Sequence, residues 1–254
     1  MKELLKYKSL LMTFAISDLK IRYRGSVLGF FWTILEPLLV LSVLYLVFTN
    51  VFRAEIENYA IYLLLGIVMW NFFTRSTSMG LNSFIVKSGL ITKTYFPREI
   101  IPISSCITAF IMAMFEFLVL FIFFVVFIFV PPITIVLLPA LIGLEFVLVL
   151  GLSLFLSVLN VRYRDLQYIW NVVIYAGFFA APIFYTLDIL PSNIKELILL
   201  NPMAQIIEMS HHLVLYNSLP DAWSVIYTVI ITGIIFGIGF TVFKVIESKV
   251  VEEL

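Results

Sequence analysis

The 254-residue chain is 62% hydrophobic and 13% charged, carries no formal net charge and has a mean hydropathy of +1.10. A soluble domain of this length needs far more polar surface to stay dispersed, so the composition excludes one and predicts an integral membrane protein. A lone cysteine, Cys106, excludes an intramolecular disulfide and argues against a thiol-ligated metal.

The first element in chain order is an amphipathic helix. Leu4, Leu11, Phe14, Ala15, Leu19 and Tyr23 recur at helical spacing with Lys and Asp between them. This predicts a helix within 1–25 lying in the cytoplasmic interface, its apolar side toward lipid. The stretch lacks a continuous apolar core before Asp18, which speaks against a cleavable signal. Gly25 and Gly29 then bracket a turn carrying Val27 and Leu28.

A helix needs about 20 apolar residues to cross a bilayer core. Suitable runs lie near 30–52, 60–82, 102–130, 133–159, 168–187 and 223–243, predicting one all-α domain over 1–254 with six transmembrane helices. Pro131 and Pro132 make a tight outer connection between the third and fourth. The cytoplasmic connection 83–101, with Gly89 and Pro97, has the makings of a short helix across the membrane face. The outer connection 188–222 holds Pro191, Pro202 and Pro220, and between them two short amphipathic, re-entrant helices near 192–200 and 203–216.

Basic residues orient the spans. Lys2, Lys6, Lys8, Lys20, Arg22 and Arg24 precede the first run; Arg75, Lys87, Lys93 and Arg98 are taken to follow the second. Arg162 and Arg164 follow the fourth, and Lys244 and Lys249 the last, while the other connections hold only Arg53 and Lys195. Lys and Arg, rather than net charge, set topology, so both termini are expected in the cytoplasm.

Catalytic motifs are missing. There is no Gly-Lys dipeptide and hence no Walker A loop, no His-Glu-x-x-His, no Gly-x-Ser-x-Gly and no cysteine cluster. Glu208, His211 and His212 fall on one short segment without another nearby ligand, and the solvated or interfacial reading is preferred to a metal. Glu36, Glu116 and Glu145 fall inside spans, where acids are costly and default to a functional reading. Glu36 is expected to reach headgroups or freed backbone beside Pro37, and Glu116 and Glu145 to share a proton or to make structural hydrogen bonds. Aromatic faces are the stronger clue. Tyr59, Tyr62, Trp70 and Phe73 share a face of the second span, Tyr168, Tyr175, Phe178 and Tyr185 one of the fifth, and Phe31 and Tyr45 one side of the first. Such faces suit either simple packing or the apolar C–H surface of a pyranose, with hydrogen bonds at its edge. Gly233 and Gly237 form a GxxxG in the last span, with Gly239 beyond it.

DLKIRYRGSVLGFFWTILEPLL at 18–39, YFPREIIPIS at 95–104, NVRYRDL at 160–166, APIFY at 181–185 and NPM at 201–203 together resemble the membrane subunit of ABC-2 type polysaccharide exporters, the Wzm-type permeases. The resemblance implies a homodimer in a bacterial inner membrane, docking two copies of a cytoplasmic ATPase that binds the ATP, and moving a lipid-linked glycan such as O-antigen, teichoic acid or capsule. The chain itself would be no enzyme, hold no cofactor and bind no nucleic acid. By the same resemblance Lys87, Lys93, Tyr95, Pro97 and Arg98 would couple to the ATPase. Arg24, Val27, Leu28 and Gly29 would form the cytoplasmic entrance; Pro191, Pro202 and Met203 would belong to an outer gate. The aromatics named above would line a canal. Rival readings are a proton-coupled transporter or flippase working through Glu116 and Glu145, and an ABC-2 exporter of a small molecule.

Overall fold

The computed structural model describes residues 7–50, 56–91, 93, 96–128 and 132–250, and among these every regular element is helical. In chain order they are α1 (Lys8–Arg22), a 3-10 turn at Gly29–Phe31, α2 (Trp32–Asn50), α3 (Tyr59–Val86), α4 (Ser88–Ile91) and α5 (Ile100–Ile128). A 3-10 turn at Ile133–Leu137 leads into α6 (Leu138–Arg162); α7 (Leu166–Ala180), α8 (Ser192–Leu199), α9 (Pro202–Val214) and α10 (Ala222–Val250) follow.

Among the described residues four helical segments are long and apolar enough to cross a membrane: Gly29–Asn50, Ile100–Val126, Ile133–Arg162 and Ala222–Glu247. The other two expected spans differ for separate reasons. Helix α3, at 28 residues, has the length but carries Asn71, Arg75 and a run of Ser and Thr through its middle. Helix α7 is 15 residues long because the chain leaves helical geometry at Ala181, which is extended (φ −86°, ψ 149°). The cause is Pro182, which pushes the residue before it out of the α region.

Helix α3 is the axis of the molecule. Leu63, Leu64 and Leu65, on successive faces, are all fully buried, so the first part of the helix is enclosed by others on every side. It packs against α5 and α6; α10 packs along α6, α1 crosses α5, and α2 and α7 lie at the edge. In a bilayer, lipid tails replace water outside the bundle, so close packing and hydrogen bonds hold these helices together more than apolar burial does. Close packing is done by particular glycines. A Cβ on Gly80 of α3 would lie 2.4 Å from the Ser153 side chain of α6, and one on Gly239 of α10 would lie 2.1 Å from the Gly151 carbonyl oxygen. Gly233 and Gly237, the pair singled out by spacing, meet nothing within 4 Å.

The lead-in turn has the predicted form: Gly25 and Gly29 take φ +79° and +51°, a region open to glycine at no steric cost. Tyr23 Oη lies 2.5 Å from Thr33 Oγ1, tying this turn back to α2. Helix α1 is anchored rather than merely adsorbed. The Thr108 hydroxyl donates to the Ala15 carbonyl, and Lys87 Nζ lies 2.6 Å from Asp18 Oδ2. The outer helices form close to their predicted places, at Ser192–Leu199 and Pro202–Val214. Pro202 opens α9 where a missing N–H is harmless, and Asn201 caps it by accepting from the Met203 amide at 3.0 Å.

Candidate functional site

Asn71, Thr74, Arg75, Ser78 and Asn82 recur every three or four residues, so they make one polar stripe down α3. Helices α1 and α2 flank the stripe and leave a groove beside it. Its deeper part, about 200 Å³, is lined by Arg22, Glu36, Asn71, Thr74, Arg75 and Ser78. A second part of about 320 Å³ shares Arg22, Ser78 and Met79 with it and extends toward Asp18, Asn82 and Lys87.

Arg75 sits at the head of this groove with its side chain 7% exposed. It donates a direct hydrogen bond to Glu116 of α5, which is fully enclosed, and Asn71 Nδ2 donates to the other Glu116 oxygen at 3.4 Å. On the open side, Glu36 of α2 lies 3.7 Å from the guanidinium with its side chain 61% exposed. One expectation changes: Arg75 lies in the body of α3 and not in a cytoplasmic connection. Glu116 makes structural hydrogen bonds, one of its two expected roles, with Arg75 and Asn71 and not with Glu145, and the exposed Glu36 approaches the same guanidinium. An arginine drawn into an apolar bundle must bring acids with it. Glu145, fully buried on α6, has neither oxygen hydrogen-bonded among the described residues. The signal in the sequence was the polar stripe itself, interleaved with the aromatic one that drew attention.

The aromatic residues separate into two sets. Tyr59, Tyr62, Trp70 and Phe73 are buried within the helix bundle. Phe31, Tyr45, Tyr168 and Tyr175 are exposed on α2, α7 and the turn before α2; Phe178 and Tyr185 are half-buried. The buried set holds the APIFY connection after α7 against α3. The Tyr62 hydroxyl donates to the Tyr185 carbonyl at 2.6 Å, the Tyr59 hydroxyl to the Phe184 carbonyl at 2.8 Å, and Trp70 fills the space above Gly177. Ile183 presses on Gly66, where a Cβ would lie 3.1 Å from its Cα.

The outer helix α9 joins the same assembly. His211 stacks on the Tyr62 ring with centroids 3.7 Å apart, and its Nε2 donates to the Tyr62 carbonyl at 3.1 Å. Burial pushes its imidazole down to about 3, so it stays neutral. His212 turns the other way, 3.7 Å from Glu208 and 2.9 Å from Ser218 Oγ, so the two imidazoles serve different neighbours. Burial raises the Glu208 carboxyl to about 7. Of the outer residues, Met203 is buried, Pro202 half-buried and Pro191 exposed.

In the turn before α2 Val27 is fully exposed, and Leu28 and Arg24 are exposed beside it; Gly29 is half-buried and its amide donates to Ser26 Oγ at 3.1 Å. Within 83–101, Lys87 is buried between Asp18 and Ser104, and Arg98 donates to the Glu247 carbonyl at 2.8 Å. Lys93 is exposed and Pro97 half-buried, while Tyr95 lies outside the described residues.

Long apolar helices around a polar, charge-lined groove, with a short helix, α9, packed against the central one, define a multi-pass membrane permease. Residues 9–215 match the ABC-2 type transporter family, and the chain belongs to it. It is 31% identical over 248 residues to the O-antigen export system permease protein RfbA of Klebsiella pneumoniae, covering 96% of this chain and 95% of that one. It is 32% identical over 223 residues to the RfbA protein of the same description in Myxococcus xanthus, covering 87% and 86%. The polysialic acid transport protein KpsM of Escherichia coli is 22% identical over 242 residues, 92% of each chain.

Proposed function

We propose that the chain is the membrane subunit of an ATP-driven exporter that passes a lipid-linked cell-surface polysaccharide, of the O-antigen kind, outward across the cytoplasmic membrane. The observation that carries this is the near full-length likeness to two O-antigen export permeases at 31% and 32% identity. In this reading α2, α3, α5, α6, α7 and α10 form six spans over 1–254 with both ends in the cytoplasm. At ~1.5 Å per residue α3 has the length to cross, and α7 does so with help from the chain that follows it. Two copies meet through the exposed edges formed by α2 and α7, so Phe31, Tyr45, Tyr168 and Tyr175, with Phe178 and Tyr185 beside them, face a shared canal. Tyr59, Tyr62, Trp70 and Phe73 form its wall from within, and the polar groove opens onto it.

Arg24, Val27, Leu28 and Gly29 stand at the entrance, an exposed apolar loop beside a cation, suited to an amphiphile's head and tail. The segment 83–101 receives the stroke of a separate ATPase, two copies per complex, through Lys93, Pro97, Tyr95 and the ties of Lys87 to α1 and Arg98 to α10. Pro191, Pro202 and Met203 belong to the outer gate at 188–222. A proton relay through Glu116 and Glu145 loses its premise, since Glu116 is engaged by Arg75.

The test is purification of the tagged chain from its own membrane in mild detergent. An ATP-hydrolysing subunit in a one-to-one ratio is the expected companion. A chain that purifies alone and moves solute under a proton gradient would overturn the proposal.

A further inference from the structure

The groove at Arg75 has an unusual balance of charge and saturation. Glu116 holds the guanidinium from behind, and Glu36 faces it across the cavity at 3.7 Å, beyond a direct hydrogen bond and with most of its carboxylate exposed. Arg22 and Arg75 against Glu36 and Glu116 sum to zero charge at the cavity. A fully charged ligand would have to displace an existing pair, which costs more than it returns in an apolar surrounding. A hydroxyl group displaces nothing: it donates to Glu36 and accepts from Arg75 or Asn71 at once. Thr74 lines the same wall, and its enclosed hydroxyl has no hydrogen-bond partner among the described residues, so a rotation of the side chain toward a ligand hydroxyl breaks no bond. The cavity of about 200 Å³ is smaller than the ~300–1,000 Å³ typical of sites for drug-sized ligands. This part of the groove therefore holds about one ring at a time, with the neighbouring part beside it.

We infer that Glu36, Arg75, Asn71 and Thr74 form a subsite that reads the hydroxyl groups of one neutral sugar ring at a time as the cargo passes. This rests on the polysaccharide-export reading above and gives it a polar contact point distinct from the aromatic faces. Aromatic faces slide along sugars without regard to hydroxyl orientation; paired donors and acceptors do not. The subsite thus supplies a dwell at each ring, and with it preference among neutral sugars.

The experiment uses the full complex in living cells, with a photoreactive aliphatic diazirine amino acid, close to methionine in shape, replacing Met79, which lines both parts of the groove. Ultraviolet illumination during export should attach the cell's own polysaccharide to the chain, detected with serum against that glycan. Glu36→Ala in the same background should lower the adduct and the export rate by about tenfold, the scale of losing a hydrogen bond to a charged group. Glu36→Gln and Thr74→Val, less disruptive to folding, should lower both less and in the same direction at unchanged membrane level. Adducts to phospholipid alone, or glycan adducts indifferent to all three changes, would overturn the inference while leaving export intact. If deletion of the chain leaves surface polysaccharide unaltered, the export reading itself fails and the inference falls with it.

Discussion

A guanidinium inside an apolar bundle is held by its partners or not at all, and Arg75 has its nearest partner, Glu116, fully enclosed. Removing one member of a buried pair costs about 3–5 kcal/mol because the other charge stays behind unpaired. Glu116→Ala should therefore lower thermal stability in detergent by several degrees, and Glu116→Gln, which still accepts a hydrogen bond, by less. Equal melting temperatures for Glu116→Ala and the parent would mean that Arg75 does not depend on it. At the outer end, Glu208 is raised to about 7 by burial, ahead of the opposing Lys195 and the like-charged Asp188. A carboxyl raised on folding stabilises most below its ordinary value of 4.5 and loses that stabilisation as pH climbs through about 7. His211, lowered to about 3, acts oppositely, stabilising above 6.5 and weakening as pH falls. Comparison with Glu208→Gln isolates the first effect: hydrogen exchange in α9 of the parent should gain on that of the variant between about pH 4.5 and 7. Parallel profiles would contradict it. Individual acids and bases were visible in the sequence, but their pairing was not. Glu36, Arg75 and Glu116 come from three helices, and no spacing along the chain connects them.

Elements were more legible than their contacts. Apolar length located α2, α5, α6 and α10, and the prolines at 191, 202 and 220 framed α8 and α9. The end of α7 was misplaced because the run stays apolar through Ile183 and Phe184, while Pro182 ends the helix two residues before it. The GxxxG in α10 shows the limit of spacing. Gly233 and Gly237 have no neighbour within 4 Å, whereas Gly239 lies against the backbone of Gly151. Gly239→Ala should force α6 and α10 apart at a cost of about 1–3 kcal/mol, and lower the melting temperature by roughly 2–4 °C for each kcal/mol. Gly237→Ala should leave the melting temperature unchanged or raise it slightly, since alanine is the better helix former. The reverse order in a thermal scan would refute this packing.

For the whole molecule, the arrangement joins three ties to one axis. Helix α1 is tied to it through Lys87 and Asp18, the APIFY connection through Tyr59 and Tyr62, and α9 through the stacked His211. Composition revealed the membrane setting at once, and the combined motifs revealed the family. The central helix was placed by its apolar run at 60–82, but its polar groove stayed hidden because the partners that close it come from other helices. The central claim, export of a surface polysaccharide, is tested most directly by depleting this chain from growing cells and locating the glycan. Lipid-linked polysaccharide should disappear from the surface and accumulate inside, beyond the reach of a glycosidase added to intact spheroplasts. Undiminished surface polysaccharide after depletion would contradict the account.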